Sequence, residues 1–413
     1  MHITLFKNIK LLVNVREQNE LLRGKALANL ATLSDAWLLI EDDRIADYGL
    51  MDAFPKTFSS IKETHDLNGR FILPAWCDSH THIVFAATRE EEFVDKINGL
   101  SYAEIAAKGG GILNSAGKVA AATEDELFAS AWKRLEQISK TGTGAVEIKS
   151  GYGLTTESEL KMLRVIKKLK EKSNLLIKAT FLGAHTYPQH YKNNHQGYID
   201  LIKNEMLPII AKENLADYVD VFCEEGFFSP EETMEVCTAA KQLGIKTKLH
   251  ANQLHCSGGV QAGVKLDAVS VDHLESMDED AIEQLSKSNT IGTLLPSAAF
   301  FLRMNYPPAR KLVEAGAAMA LATDYNPGSS PSGNMNLVLS LACIQMRMLP
   351  EEAINAATIN GAYAMELENE VGSIRKGKLA NLIITKPVSS LAYLPYSFGE
   401  NWIERVMIKG EFV

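Results

Sequence analysis

Two histidines separated by one residue, His80 and His82, close the stretch Leu73-Pro-Ala-Trp-Cys-Asp-Ser-His-Thr-His82. On an extended strand alternate side chains share a face, so the two imidazoles point the same way and form half of a metal site. Alone, the pair reads better as two unrelated surface histidines. Further ligand-type residues follow strand-like runs downstream: Lys149-Ser-Gly-Tyr152, His185 in Leu-Gly-Ala-His-Thr-Tyr, Glu224-Glu225, His250, His273, and Asp324 in Ala-Thr-Asp-Tyr-Asn-Pro-Gly. Each has a plain alternative, because a buried His is commonly a hydrogen-bonded core residue and an Asp before Asn-Pro-Gly a turn former. Taken together with the His-x-His pair they point to a metal centre. Three His and one carboxylate suit Zn²⁺, and also Fe or Mn. Such an ion lowers the pKa of bound water and makes hydroxide available near neutral pH, while an adjacent Asp can ligate it and shuttle a proton.

These residues need a scaffold that gathers strand ends. Strand-like runs occur at Phe71–His80, Gly144–Lys149, Leu175–Leu182, Tyr218–Phe222, Ile245–Leu249, Ala268–Val271, Thr290–Leu295 and Ala318–Ala322. Helical segments separate most of them, with capping-box spacing at Thr123/Glu126, Thr156/Glu159, Ser229/Glu232 and Ser276/Glu279. Leu160, Leu163, Ile166 and Leu169 make an apolar stripe on one of these helices. Eight strands alternating with helices over roughly 250 residues predict a (β/α)8 barrel, whose sites lie at the C-terminal strand ends. A doubly wound open sheet is the alternative, but no glycine-rich phosphate fingerprint follows the first strand. Residues 1–70 and 371–413 instead alternate short apolar runs with polar turns, and neither end has enough strands for a sheet of its own. The expected organisation is a composite β-domain, 1–70 plus 371–413, around a barrel at 71–370.

Composition narrows the class. With 413 residues, 46% hydrophobic and 23% charged, the chain can bury a large core. A net charge of -9 disfavours a nucleic-acid partner. No apolar run is long enough to span a bilayer, and Met1-His-Ile-Thr-Leu-Phe lacks a basic-then-apolar leader. Five cysteines without CxxC spacing read as reduced core residues. A cytoplasmic enzyme is expected.

The motif Asp78-Ser-His-Thr-His82, with His250, His273, Asp324 and a terminal Gly-Ser-Ile-x-x-Gly-Lys-x-Ala, resembles the amidohydrolase superfamily across the whole chain. His80-Thr-His-Ile-Val-Phe-Ala-Ala-Thr-Arg89, Glu147-Ile-Lys-Ser-Gly-Tyr-Gly, Leu182-Gly-Ala-His-Thr-Tyr-Pro and Thr323-Asp-Tyr-Asn-Pro-Gly-Ser are similar to its branch that opens an acidic imidazolone ring. That resemblance implies hydrolysis of 4-imidazolone-5-propanoate to N-formimidoyl-L-glutamate, in histidine degradation, with metal-bound hydroxide attacking the ring carbonyl. It implies one Zn or Fe ion on His80, His82, His250 and Asp324, with Asp324 as proton shuttle and His273 assisting. Arg89 would take the propanoate carboxylate, and Tyr152, His185, Gln253, Asn326, Gly328 and Ser329 would line the ring pocket. Some superfamily members bridge two metals with a carboxylated Lys at the end of strand 4. Cys223-Glu-Glu225 stands there, so one metal is expected and Lys149 is the competing candidate. Some relatives carry Glu where this chain has Gln253, which cannot act as a base. Asn381 replaces a common Asp outside the chemistry. The expected partners are a small acidic heterocycle and a second copy of the chain, with no nucleic acid and no membrane. The alternative is an aminohydrolase of another nitrogen heterocycle. The residues between the first two strands, with Gly109-Gly-Gly-Ile, read equally as a lid over the site and as a plain flexible loop.

Overall fold

The computed structural model describes residues 2–55, 61–100, 104, 108 and 110–413. Gly109, part of the lid candidate, lies outside them. In chain order the strands are β1 (Ile3–Val13), β2 (Thr32–Glu41), β3 (Arg44–Leu50), β4 (Glu63–Asp66) and β5 (Phe71–Pro74), then β6 (Trp76–Thr81), β7 (Thr143–Lys149), β8 (Leu176–Ala184) and β9 (Tyr218–Cys223). They continue with β10 (Lys246–Ala251), β11 (Ser270–His273), β12 (Ile291–Leu294) and β13 (Met319–Leu321), and end with β14 (Leu382–Thr385), β15 (Ile403–Ile408) and β16 (Glu411–Phe412).

Strands from both termini form one sheet, β16-β15-β14-β5-β1-β2-β3, with β4 also on β1. It shares a core in which Phe6, Ile9, Leu38 and Ile40 pack with Ile374, Leu382 and Met407. The join is β5, parallel to β1 and antiparallel to β14. The expected boundary at residue 71 assigned Phe71-Ile-Leu to the barrel, whereas these residues pair in the terminal sheet. Pro74 explains the switch: it has no ladder donor and ends the strand. Ala75 N then donates to Asn381 O (2.9 Å), on the terminal-sheet side, and Trp76 N to Gly142 O (2.8 Å), on the barrel side.

Strands β6 to β13 run parallel in consecutive order as a (β/α)8 barrel. Seven of the eight predicted runs match their strands to within about two residues at each end, and the first matches only at its C-terminal end, because Phe71–Pro74 belongs to the terminal sheet. The β6/β13 seam closes beyond the strands. Asp324 N donates to His80 O (3.0 Å), His82 N to Tyr325 O (2.9 Å), and Thr323 donates through N (3.0 Å) and Oγ1 (2.7 Å) to Asp78. This seam carries the last polar residue of the chain's motif set, Asp324, to the first pair.

The capping boxes at Thr123/Glu126 and Ser229/Glu232 form as expected. The other two shift. Thr155 caps helix Thr156–Lys172, whose Leu160, Leu163, Ile166 and Leu169 are buried. Glu159 turns to accept from Gly151 N (3.1 Å), Gly153 N (2.7 Å) and Leu154 N (3.0 Å). Asp278 caps helix Glu279–Lys287, and Ser276 Oγ faces Gln253 O at 3.4 Å. All five cysteines are free: Cys77, Cys223 and Cys237 are buried, but Cys256 is exposed. Among the described residues no helix is long and apolar enough to cross a membrane.

Lys378, in the glycine-turn segment that returns the chain to the terminal sheet, is buried with Nζ on Val371 O (2.9 Å) and Ser373 Oγ (2.7 Å). Burial pushes its ammonium down to about 8. The unfolded chain keeps that proton until about pH 10.4, so between these values the unfolded state binds more protons and stability rises with pH. Lys378→Met should remove this rise, which urea unfolding at pH 7 to 10 measures; equal pH slopes in the two proteins would refute it.

Candidate metal centre and active site

Alternation along the strands turns one set of side chains into the barrel. Glu147 and Lys149 on β7, Asp220 on β9, Lys248 and His250 on β10, Asp272 on β11, and His80 on β6 are all buried. The Lys149 ammonium sits among three carboxylates, 2.6 Å from Glu147, 2.8 Å from Asp220 and 3.5 Å from Asp272. Lys248 pairs with Glu147 and donates to Ser79 O (3.2 Å). Burial works against the Lys149 charge, but Asp220, Glu147 and Asp272 outweigh it and hold its pKa above the ordinary value. Lys149 is thus engaged in ion pairs beneath the histidines.

The same carboxylates orient the histidines. His80 Nδ1 donates to Asp272 Oδ2 (2.7 Å) and His250 Nδ1 to Asp220 Oδ2 (3.0 Å). An Nδ1–H donor leaves Nε2 as an unprotonated lone pair. Those lone pairs converge on the Nε2 of His82, which is 3.2 Å from His80 Nε2 and 3.4 Å from His250 Nε2. Asp324 Oδ1 is 3.5 Å from His80 Nε2 and 3.4 Å from His82 Nε2. Burial, then Lys149 and the neighbouring imidazoles, hold His80 well below its ordinary pKa, so it is neutral. Buried acceptors packed against one another repel unless a cation lies between them. The spacing is that of donors around a four-coordinate ion at about 2.0–2.1 Å from each, whose ligands are about 3.4 Å apart. The residues present therefore fit a metal, and His–carboxylate pairs are the usual outer support of such ligands.

Asp324 stands at φ +55° and His273 at +89°, left-handed conformations that cost about 1–3 kcal/mol each and gather at functional sites. Ser329 Oγ donates to Asp324 Oδ2 (3.1 Å), and Asn326 Oδ1 accepts from Gly328 N (2.7 Å) and Ser329 N (2.8 Å), shaping the loop. His273 Nδ1 faces Glu275 at 3.4 Å, with its ring 5.3 Å from that of His250. Burial opposes its charge, but Glu275, Asp324 and Asp272 hold its pKa above the ordinary value.

Above the histidines opens a cavity of about 600 Å³ lined by His82, Arg89, Tyr152, His185, Gln253, Asn326, Gly328 and Ser329 among others. His185 Nδ1 donates to Gly151 O (3.0 Å) and its ring stacks on His82 at 5.7 Å. That leaves His185 Nε2 as an acceptor. Glu159 pins the loop that carries Tyr152. Gly153 packs so closely there that a Cβ would lie 2.4 Å from Glu159 N. One expected strand end stays out: Glu224 accepts from Leu254 N (2.8 Å) and Glu225 N (2.8 Å), bracing the loop after His250.

The sequence reading missed Asp220, Asp272, Glu147 and Lys248. Their signal is visible in retrospect as charges inside apolar strands, as in Tyr-Val-Asp-Val-Phe and Ala-Val-Glu-Ile. It also missed Lys96 and the apolar wall of Phe93, Phe222 and Phe301, which line the same cavity.

A barrel with convergent His and Asp donors at its C-terminal strand ends defines the architecture of the amidohydrolases, and the Amidohydrolase family model matches residues 71–413. The chain is 56% identical to the imidazolonepropionase of Christiangramia forsetii, over 99% of both chains, and 57% identical to that of Flavobacterium johnsoniae, over 100% of both. An adenosine deaminase from Xanthomonas campestris with bound Zn shares the fold at a TM-score of 0.70 and 16% identity, over 99% of this chain and 94% of that one. The protein belongs to the amidohydrolase family and, within it, to the imidazolonepropionases.

Removing the Lys149 ammonium leaves three buried carboxylates without their shared partner. Lys149→Met should lower metal affinity on the order of 10–100-fold, as loss of outer support does. Competition with a chelator, read by metal analysis, measures this; native affinity in the variant would show that the network does not hold the ligands.

Proposed function

We propose that this chain hydrolyses 4-imidazolone-5-propanoate to N-formimidoyl-L-glutamate, the ring-opening step of histidine degradation. The observation that carries the reading is the polarity of one cavity, with metal-type donors at its floor and the Arg89 guanidinium on its wall. Identity above 50% to imidazolonepropionases over the full length supports the same assignment.

His80, His82, His250 and Asp324 would hold the ion, and zinc suits this nitrogen-rich donor set, with iron the competing choice. When bound, it supplies Lewis acidity toward a carbonyl oxygen and lowers the pKa of water. Arg89 binds the carboxylate of the propanoate arm, and Tyr152 packs beside the ring. His185 Nε2 accepts from a ring N–H, and Gln253 offers a further amide contact. This orientation directs the ring carbonyl toward His273, which donates to the oxygen as negative charge develops there. Asp324 takes the proton of the attacking water on its carboxylate and passes it to the ring nitrogen as the carbon–nitrogen bond breaks. Ser329 Oγ steadies the Asp324 oxygen it touches.

A nitrogen-heterocycle aminohydrolase is the second reading, and the cationic wall counts against it because most such rings are neutral. Incubation of the metal-loaded protein with 4-imidazolone-5-propanoate should bleach the ring chromophore without releasing ammonia. Stoichiometric ammonia would favour the aminohydrolase, and no turnover at all would leave the family without this substrate. Asp324→Ala should lose about 10²–10⁴-fold in kcat or more. Near-native turnover in that variant would remove Asp324 as the proton carrier.

A further inference from the structure

Arg89 is not a free cation. It stands at the N-terminus of helix Glu90–Ile97, and its Nε (2.8 Å) and one terminal nitrogen donate to the same oxygen, Glu92 Oε2. Both side chains of the pair are 9% exposed. The second Glu92 oxygen accepts from Gly111 N (3.0 Å) and Asn114 Nδ2 (3.3 Å). Burial pushes the Glu92 carboxyl up, yet Arg89 and these donors hold it below the ordinary value, so it carries its charge. An Arg–Glu pair fixes the direction of the guanidinium but has no net charge to offer an anion.

The same helix supplies one. Lys96 follows Arg89 by two turns, which places it on the same face. It is half-buried and lines the cavity, with Nζ donating to Gly328 O (3.1 Å). Gly328 also meets Arg89, since a Cβ there would lie 2.3 Å from the free terminal nitrogen of the guanidinium. The two cationic tips therefore flank one glycine, in the loop whose Ser329 touches Asp324. Burial and the neighbouring Arg89 charge lower the Lys96 ammonium's pKa, a repulsion that an anion between the two would relieve.

We infer that Lys96 is a second ligand of the substrate carboxylate and supplies the net positive charge that Glu92 removes from Arg89. This rests on the reading of the cavity as a propanoate site. The competing role for Lys96 is that of a strut, holding Gly328 O and lying 5.7 Å over the Phe301 ring. Lys96→Gln separates the two, because it keeps a donor for Gly328 O and removes the charge.

The test titrates metal-loaded protein calorimetrically with 3-(imidazol-4-yl)propanoate and with its neutral amide, which share a ring and differ by one charge. Lys96→Gln should weaken the acid about tenfold and the amide by less than about twofold. Lys96→Arg should restore the preference for the acid, which guards against a folding defect in the first variant. An acid affinity within about twofold of wild type in Lys96→Gln, while Arg89→Ala weakens it, would overturn the inference and leave Lys96 a strut. Equal weakening of acid and amide would overturn it too, as lost packing. Should Arg89→Ala also leave the acid unaffected, the propanoate reading itself fails, independently of Lys96.

Discussion

Everything at the metal centre hangs on one buried ammonium. Lys149 lies among Glu147, Asp220 and Asp272, and Asp220 and Asp272 in turn accept the Nδ1 protons of His250 and His80. Three carboxylates drawn together inside a barrel would repel without it, and desolvation would drive protons onto them. With it they accept from the imidazoles, and His80 and His250 are each held in the tautomer whose Nε2 lone pair faces the cavity. With Lys248 also present, two ammoniums face four carboxylates once Asp324 is included, so the cluster stays short of positive charge, which a cation at the histidines would supply.

The barrel makes such a cluster possible because it removes every sheet edge and fills its interior in layers. The lower layer holds the ion pairs, the next the histidines, and the loops beyond the strands bring Arg89, Tyr152 and the Asn326–Ser329 turn over them. The left-handed conformations at His273 and Asp324 are stored strain at this upper level, and at Asp324 the seam hydrogen bonds to Asp78, His80 and Tyr325 overdetermine the backbone. The terminal sheet is bonded to the bottom of the same strand, through adjacent amides at Ala75 and Trp76, and thereby anchors β6.

Much of this was legible from residue order. Apolar runs bounded by turn residues and separated by capped helical segments locate seven of the eight barrel strands to within about two residues. Local chemistry failed at Phe71–Pro74, where two short strands divided by Pro74 read as one. It failed again at Glu159 and Ser276, where an expected cap partner was recruited by a loop. At both caps a hydrogen bond to a loop outcompeted the expected cap, from the adjacent loop at Glu159 and from a remote one at Ser276, and spacing alone carries no information about that competition.

By itself the sequence determined the donor types, the strand ends that carry them, and the presence of an arginine suited to a carboxylate. Those are properties of short stretches, set by strand alternation and turn chemistry. Only the tertiary structure decided which polar residues share a charge. Lys149 is a buried counter-ion because strands β9 and β11, remote in sequence, place Asp220 and Asp272 beside it. Arg89, paired locally with Glu92 three residues on, meets Gly328 at its tip only because the Asn326–Ser329 turn, remote in sequence, is brought there. Charge compensation falls off with distance in space, and the chain order does not record that distance.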